Sequence, residues 1–217
     1  MKLKEFDLWA YKLELDDSRA FTLESRCVCA HFERHFKGLE TESVYRVVVK
    51  LSEGDPRDGT LETSSSVLKY YQSFDFDSFR KLNPIEKKEL LLSKLYNSLL
   101  SLCEANGWAK EPFEKARSSV IEERFLNSYE VSRKNNPNRS MVASLNAEHT
   151  AEAFRLDIIV TDKSGKEIYK NTVLSEEPDE FFFNGRIGRI RWESSNVLNY
   201  IAKDKSILET IRFDEQA

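Results

Sequence analysis

One segment of this chain leaves little freedom in how it folds. Asn83-Pro84 reads as a helix start, with Asn as the cap, Pro at the first helical position and Glu86 in the first turn. Leu92, Leu95, Leu99 and Leu102 then recur at steps of three and four, and Leu91 and Cys103 widen the apolar stripe. Asn106-Gly107 is a helix stop. A second helix is expected to open near Glu111-Pro112, with Phe113, Ala116, Val120, Ile121, Phe125 and Tyr129 on one face, and to end by Asn135-Asn136-Pro137-Asn138. The short break between them predicts an antiparallel helix hairpin from Pro84 to about Arg133.

Strand patterns flank this block. Trp9, Tyr11, Leu13 and Leu15 share one face of an extended segment from about Lys4 to Leu15, with Lys12 and Glu14 opposite. Further strands are expected from Phe21 to Phe32, from Val44 to Leu51 and from Val67 to Phe74, with a loop over Glu53–Gly59. On the C-terminal side, Phe154, Leu156, Ile158 and Val160 alternate with Arg155, Asp157 and Ile159, and a turn at Asp162–Lys166 leads to a strand from Glu167 to Leu174. Phe181–Phe183 followed by Asn184-Gly185 predicts a hairpin returning through Arg186–Trp192. Val197–Ile201 and Ile207–Phe213 read as strand or short helix.

These elements predict an α+β fold in which an antiparallel β-sheet from both flanks packs against the central helix hairpin. With 217 residues the chain can bury on the order of 70% of its unfolded surface in one core. Only 7 Gly and 5 Pro speak against long linkers, so a single domain over residues 1–217 is expected. The alternative is two subdomains, 1–135 and 140–217.

The formal net charge of -4 gives no support to binding nucleic acid through phosphates, and suits a basic protein partner instead. Cys27, Cys29 and Cys103 are too few, and odd in number, for a disulfide framework. Glu5 and Asp7 stand where a secretory leader needs an apolar run, and no stretch approaches the roughly 20 apolar residues of a membrane helix. A cytoplasmic location with no membrane partner is therefore expected.

Cys27-x-Cys29-x-His31-x-x-x-His35 offers four zinc-ligand types, but along a strand the alternate residues stand about 6.5–7 Å apart, too far for one ion. No metal site is expected there, although His31 and His35 would form an i, i+4 pair if that segment were helical. No nucleophile elbow, phosphate loop or dinucleotide fingerprint is present, and Gly185-Arg186-Ile187-Gly188 lacks a third glycine. His149 falls at a strand end or turn, and Phe74-Asp75-Phe76-Asp77 reads as a polar strand face leading into a helix cap. No catalytic residue, cofactor or metal is assigned, and the chain is read as leaning away from an enzyme.

The block Phe74-Asp75-Phe76-Asp77, Glu86-Lys87-Lys88, Leu91-Leu92, Leu95, Leu99 and Asn106-Gly107-Trp108 resembles uncharacterised bacterial proteins of the polymorphic-toxin immunity type. The resemblance covers under a fifth of the chain. It implies a small acidic protein that binds and blocks one toxin domain, with no shared catalytic residues. The expected function is a non-enzymatic protein-binding protein of this kind. Its contact surface is sought at Glu176, Glu177, Asp179, Glu180, Asp55 and Asp58, with Arg189 and Arg191 as a second charged group. The alternatives are an enzyme with a dispersed site and a structural subunit of a phage or secretion system. Partner identity and oligomeric state are not legible in the residues.

Overall fold

A computed structural model describes residues 1–214, with the side chain of Phe181 outside the described set. The chain divides into two compact units, Met1–Asn127 and Ser128–Ala217.

The first unit contains β1 (Lys2–Leu3), β2 (Glu5–Ala10), α1 (Leu15–His35), β3 (Leu39–Glu40), β4 (Arg46–Ser52), β5 (Leu61–Ser64), β6 (Val67–Ser73), α2 (Phe76–Arg80), α3 (Pro84–Asn106) and α4 (Glu111–Glu122). Its main sheet has the order β2-β4-β6-β5. The pairs β2–β4 and β4–β6 are parallel, and only β5–β6 is antiparallel. A parallel neighbour needs a crossover, and the 21-residue helix α1 supplies it between β2 and β4. The stretch from Phe21 to Phe32, expected as a strand, is the middle of this helix. Its buried side chains Phe21, Ser25, Val28 and Phe32 follow steps of four, three and four, so the period was helical. The alternation of Cys27, Cys29 and His31 is incidental to it.

Strand β2 is shorter than expected and turned over. Lys12 takes a positive φ of 67°, which breaks the extended run before Leu15 enters the helix. The inward residues are Phe6, Leu8 and Ala10, while Trp9 points out and is 49% exposed. Phe6 packs edge-on against Phe32, Phe36 and Phe113 at 5.3, 4.9 and 6.1 Å between centroids. Val47, Val49 and Leu51 continue that buried face on β4, as the alternation predicts.

Helix α3 spans the expected residues. Asn83 Oδ1 accepts the N–H groups of Ile85 and Glu86, Glu86 accepts the Asn83 N–H, and Gly107 closes the end at φ 67°. Leu91, Leu92, Leu95, Leu99, Leu102 and Cys103 are all buried. Helix α4 begins as expected but stops at Glu122, because Arg124 and Phe125 adopt positive φ of 52° and 58°. The Phe125 N–H bonds back to Val120 O, closing the helix without a glycine.

The second unit contains β7 (Ser128–Asn135), β8 (Met141–His149), β9 (Phe154–Asp162), β10 (Glu167–Glu176), α5 (Glu180–Phe183), β11 (Arg189–Ser194), β12 (Val197–Ile201) and β13 (Ile207–Arg212). Strands β7 to β10 form an antiparallel meander and β11 to β13 a second antiparallel sheet. Their inner faces share one core, in which Leu145, Phe154, Leu156, Ile158 and Val160 meet Ile190, Leu198, Tyr200 and Ile211. This is a two-sheet arrangement. The expected hairpin at Phe181–Trp192 is replaced by α5. Asp179 O accepts the N–H groups of Phe182 and Phe183, and Phe183 stacks on Phe154 at 3.7 Å. Strand β11 therefore pairs with β12.

The chain is thus α+β. Among the described residues no strand of one flank pairs with a strand of the other, so separate sheets stand where one antiparallel sheet was expected. No helix among them is long and apolar enough to cross a membrane.

Candidate functional site

The sheet of the first unit has two unlike faces. The face carrying Phe6, Leu8, Val47 and Val49 is covered by the unit's helices, and Ser98 Oγ of α3 donates to Gln72 Oε1 on β6 at 2.7 Å. By register, the other face carries Asp7 and Trp9 on β2, Arg46, Val48 and Lys50 on β4, Lys69 and Tyr71 on β6 and Glu62 on β5. Lys50 Nζ sits 3.2 Å above the Trp9 ring centroid. Beside that pair, the Arg57 guanidinium lies 4.1 Å from the Tyr71 ring and 5.0 Å from the Tyr11 ring.

Most cations on this face are already matched. Arg46 bonds Asp7 through Nε at 2.7 Å, Lys69 reaches Glu62 at 2.8 Å, and Lys12 and Arg57 both reach Asp55 at 3.3 Å. Lys50 is the exception: burial, then the neighbouring Lys69, push its ammonium down to about 8.

A different cluster joins α1 to the end of α4. His31 and His35 stand one turn apart, and Glu123 follows the last residue of α4. His31 Nε2–H donates to Glu123 Oε2 at 2.8 Å, and Arg34 binds the same oxygen while its Nε reaches Asn127 Oδ1 at 3.1 Å. His35 Nε2 lies 3.1 Å from Glu123 Oε1 but off the line a hydrogen bond needs, so this buried atom has no hydrogen-bond partner. Burial pushes His31 down to about 4. Burial pushes Glu123 the opposite way, yet the contacts from His31, Arg34 and His35 prevail and hold it at about 2. Two imidazoles and a carboxylate could hold a divalent cation here.

The cysteines do not join them: Cys27, Cys29 and Cys103 are free and buried, and burial pushes the thiols of Cys29 and Cys103 up.

The residues singled out by charge scatter. Asp55 is buried, 1% exposed at its side chain, and bound to Lys12 and Arg57, so it presents no contact surface. Asp58 is exposed and accepts the Ser73 N–H. Glu176 ends β10 and pairs with Arg186, Glu177 is exposed, and Asp179 and Glu180 are half-buried at the start of α5. Arg189 and Arg191 are exposed on one face of β11, with Ile190 buried between them. His149 is buried, its Nε2 3.0 Å from Pro178 O. Asp75, one of the paired carboxylates of the sequence, is the N-cap of α2 and accepts the Ser78 N–H.

The Trp9–Lys50 and Arg57–Tyr71 pairs escaped sequence reasoning because each joins strands or loops far apart in the chain. The one signal was that the alternating residues of β2 are aromatic on both sides. No family model, curated protein or solved structure matches this chain.

Proposed function

We propose that the chain is a non-enzymatic protein-binding protein that contacts its partner through the helix-free face of the β2-β4-β6-β5 sheet. The observation that carries this is the exposed Trp9 under Lys50, beside Arg57 laid over Tyr71 and Tyr11. Trp, Tyr and Arg are the residue types that dominate binding energy between proteins, and here Trp9 and Tyr71 stand on β2 and β6 of one sheet with Tyr11 and Arg57 at its margin. Paired carboxylates neutralise Arg46, Lys69, Lys12 and Arg57, which leaves little free positive charge for a phosphate backbone and favours a protein partner over nucleic acid.

The specific form we propose is an immunity protein that blocks a basic toxin domain, acting in the cytoplasm. The net charge of -4 supports it, and association is expected to slow as salt rises. The test is quantitative capture from nuclease-treated lysate of the source organism, with the full chain and its Trp9→Ala and Arg57→Ala variants as baits. A stoichiometric protein retained by the wild type and lost by both folded variants is expected. Equal recovery by all three overturns the assignment of the face. An Arg189→Ala bait shows whether β11 takes part as well.

A further inference from the structure

We propose that His31, His35 and Glu123 form a site for a divalent transition-metal cation, with Zn²⁺ as the best-fitting ion. The three side chains each offer one donor, and these atoms lie within 4.8 Å of one another. Tetrahedral zinc with nitrogen and oxygen donors at about 2.0–2.1 Å holds neighbouring donors about 3.3 Å apart. Here Nε2 of His31 is 2.8 Å and Nε2 of His35 is 3.1 Å from an oxygen of Glu123. An ion would therefore draw donors that now lie within 4.8 Å of one another in to about 3.3 Å, through χ adjustments on α1 and at the end of α4.

The second observation is the lone donor. His35 Nε2 is buried and 3.1 Å from Glu123 Oε1, within ion-pair reach but without a well-aligned hydrogen bond. An imidazole nitrogen that faces a carboxylate without an aligned hydrogen bond is what a cation completes. The helix supplies the pair at i, i+4, the spacing that puts two imidazoles on one side of a helix. Two imidazoles with one carboxylate suit zinc and its neighbours in the first row better than calcium or magnesium, which prefer oxygen alone.

Arg34 decides which oxygen is used. Its guanidinium holds Glu123 Oε2, so Oε1 is the oxygen left for the ion, and Oε2 stays with Arg34 as a positioning contact. For the ion to enter, the proton on His31 Nε2 must leave that nitrogen, and the ring then carries its proton on Nδ1. Three protein ligands leave a fourth position for water.

The test uses the full chain, stripped with chelator and titrated with Zn²⁺ by calorimetry and with Co²⁺ by visible absorption. One equivalent of each is expected to bind, Co²⁺ with the intense bands of a four-coordinate site, and Zn²⁺ is expected to raise the unfolding temperature. His35→Ala and Glu123→Gln are expected to weaken binding more than about 100-fold, since even an outer contact of a metal site accounts for 10–100-fold. His31 is almost fully buried, so its variant can fail to fold; the other two keep the test decisive. Cys103→Ala, which removes a thiol outside the cluster, is expected to bind as the wild type does. No stoichiometric binding, or unchanged binding in folded His35→Ala and Glu123→Gln, overturns the assignment.

Discussion

The Glu33 carboxylate of α1 accepts the backbone N–H of Phe6 on β2 at 2.6 Å. Strand β2 is the outer strand of its sheet, and the helix beside it acts as a side-chain substitute for a missing neighbour. Arg26 Nη1 donates to Phe6 O at 2.8 Å, Ser25 Oγ to Leu8 O at 3.1 Å and Ser18 Oγ to Ala10 O at 3.0 Å. An open edge would otherwise be a template for pairing with another chain. Arg26 also bonds Asp7 at 2.8 Å and Glu33 at 2.5 Å, so one guanidinium serves two carboxylates.

Arg26→Leu is therefore expected to destabilise the first unit by about 2–3 kcal/mol, since it leaves the half-buried Glu33 without its cation while Asp7 keeps Arg46. Ser25→Ala removes one bond and should cost about 1 kcal/mol. Urea unfolding checks the ranking. Equal effects would show that edge bonding, and not charge compensation, sets the cost.

Asn83 and Glu86 cap α3 reciprocally. Asn83→Ala is expected to cost about 1 kcal/mol. Because the two side chains satisfy one helix end together, the Asn83→Ala, Glu86→Ala double variant should lose less than the two single losses added. A double-mutant cycle by chemical denaturation reads this coupling.

Gly188 precedes β11 at a place with no room for a side chain. A Cβ there would stand 2.5 Å from Ile201 O and 2.8 Å from the Tyr200 ring, and the Gly188 N–H donates to Tyr200 Oη at 3.0 Å. Gly188→Ala is expected to destabilise the second unit by about 1–3 kcal/mol. Trp192 lies in the adjoining strand, so its emission should report the loss; an unchanged midpoint would refute the close packing.

Lys50 should titrate near 8 in the folded chain, against 10.5 for an ordinary lysine. A depressed ammonium is deprotonated earlier folded than unfolded. Its contribution to stability is therefore fully present above about 10.5 and lost as pH falls through 8. The Trp9 ring under Nζ favours the charged form, so Trp9→Leu is expected to lower the titration midpoint further. Carbon NMR of the Lys50 side chain measures both midpoints. A higher midpoint in Trp9→Leu would show that burying the ammonium against the ring outweighs the attraction.

The elements that the residues announced by themselves were those whose periodicity and caps agree. Helix α3 shows Asn83, Pro84, the leucine stripe and Gly107 in order, and β9 shows Phe154, Leu156, Ile158 and Val160 at strict alternation. Those that stayed hidden had conflicting or missing signals. In α1, aromatic and cysteine residues imitate a strand, although the buried positions keep a helical step. Strand β5 is exposed throughout, and its turn to β6 uses Ser65 and Ser66 at positive φ where Asn-Gly would have been the signal.

The local sequence thus determined where the chain must bend and which stripe of α3 must be buried, since capping and apolar periodicity act within a few residues. Only the tertiary structure decided which strands pair, that β2, β4 and β6 run parallel, and that His31, His35 and Glu123 meet. The reason is physical: hydrogen-bond partners across a sheet, and a histidine and a carboxylate 92 positions apart, are selected by packing that no short window of residues encodes.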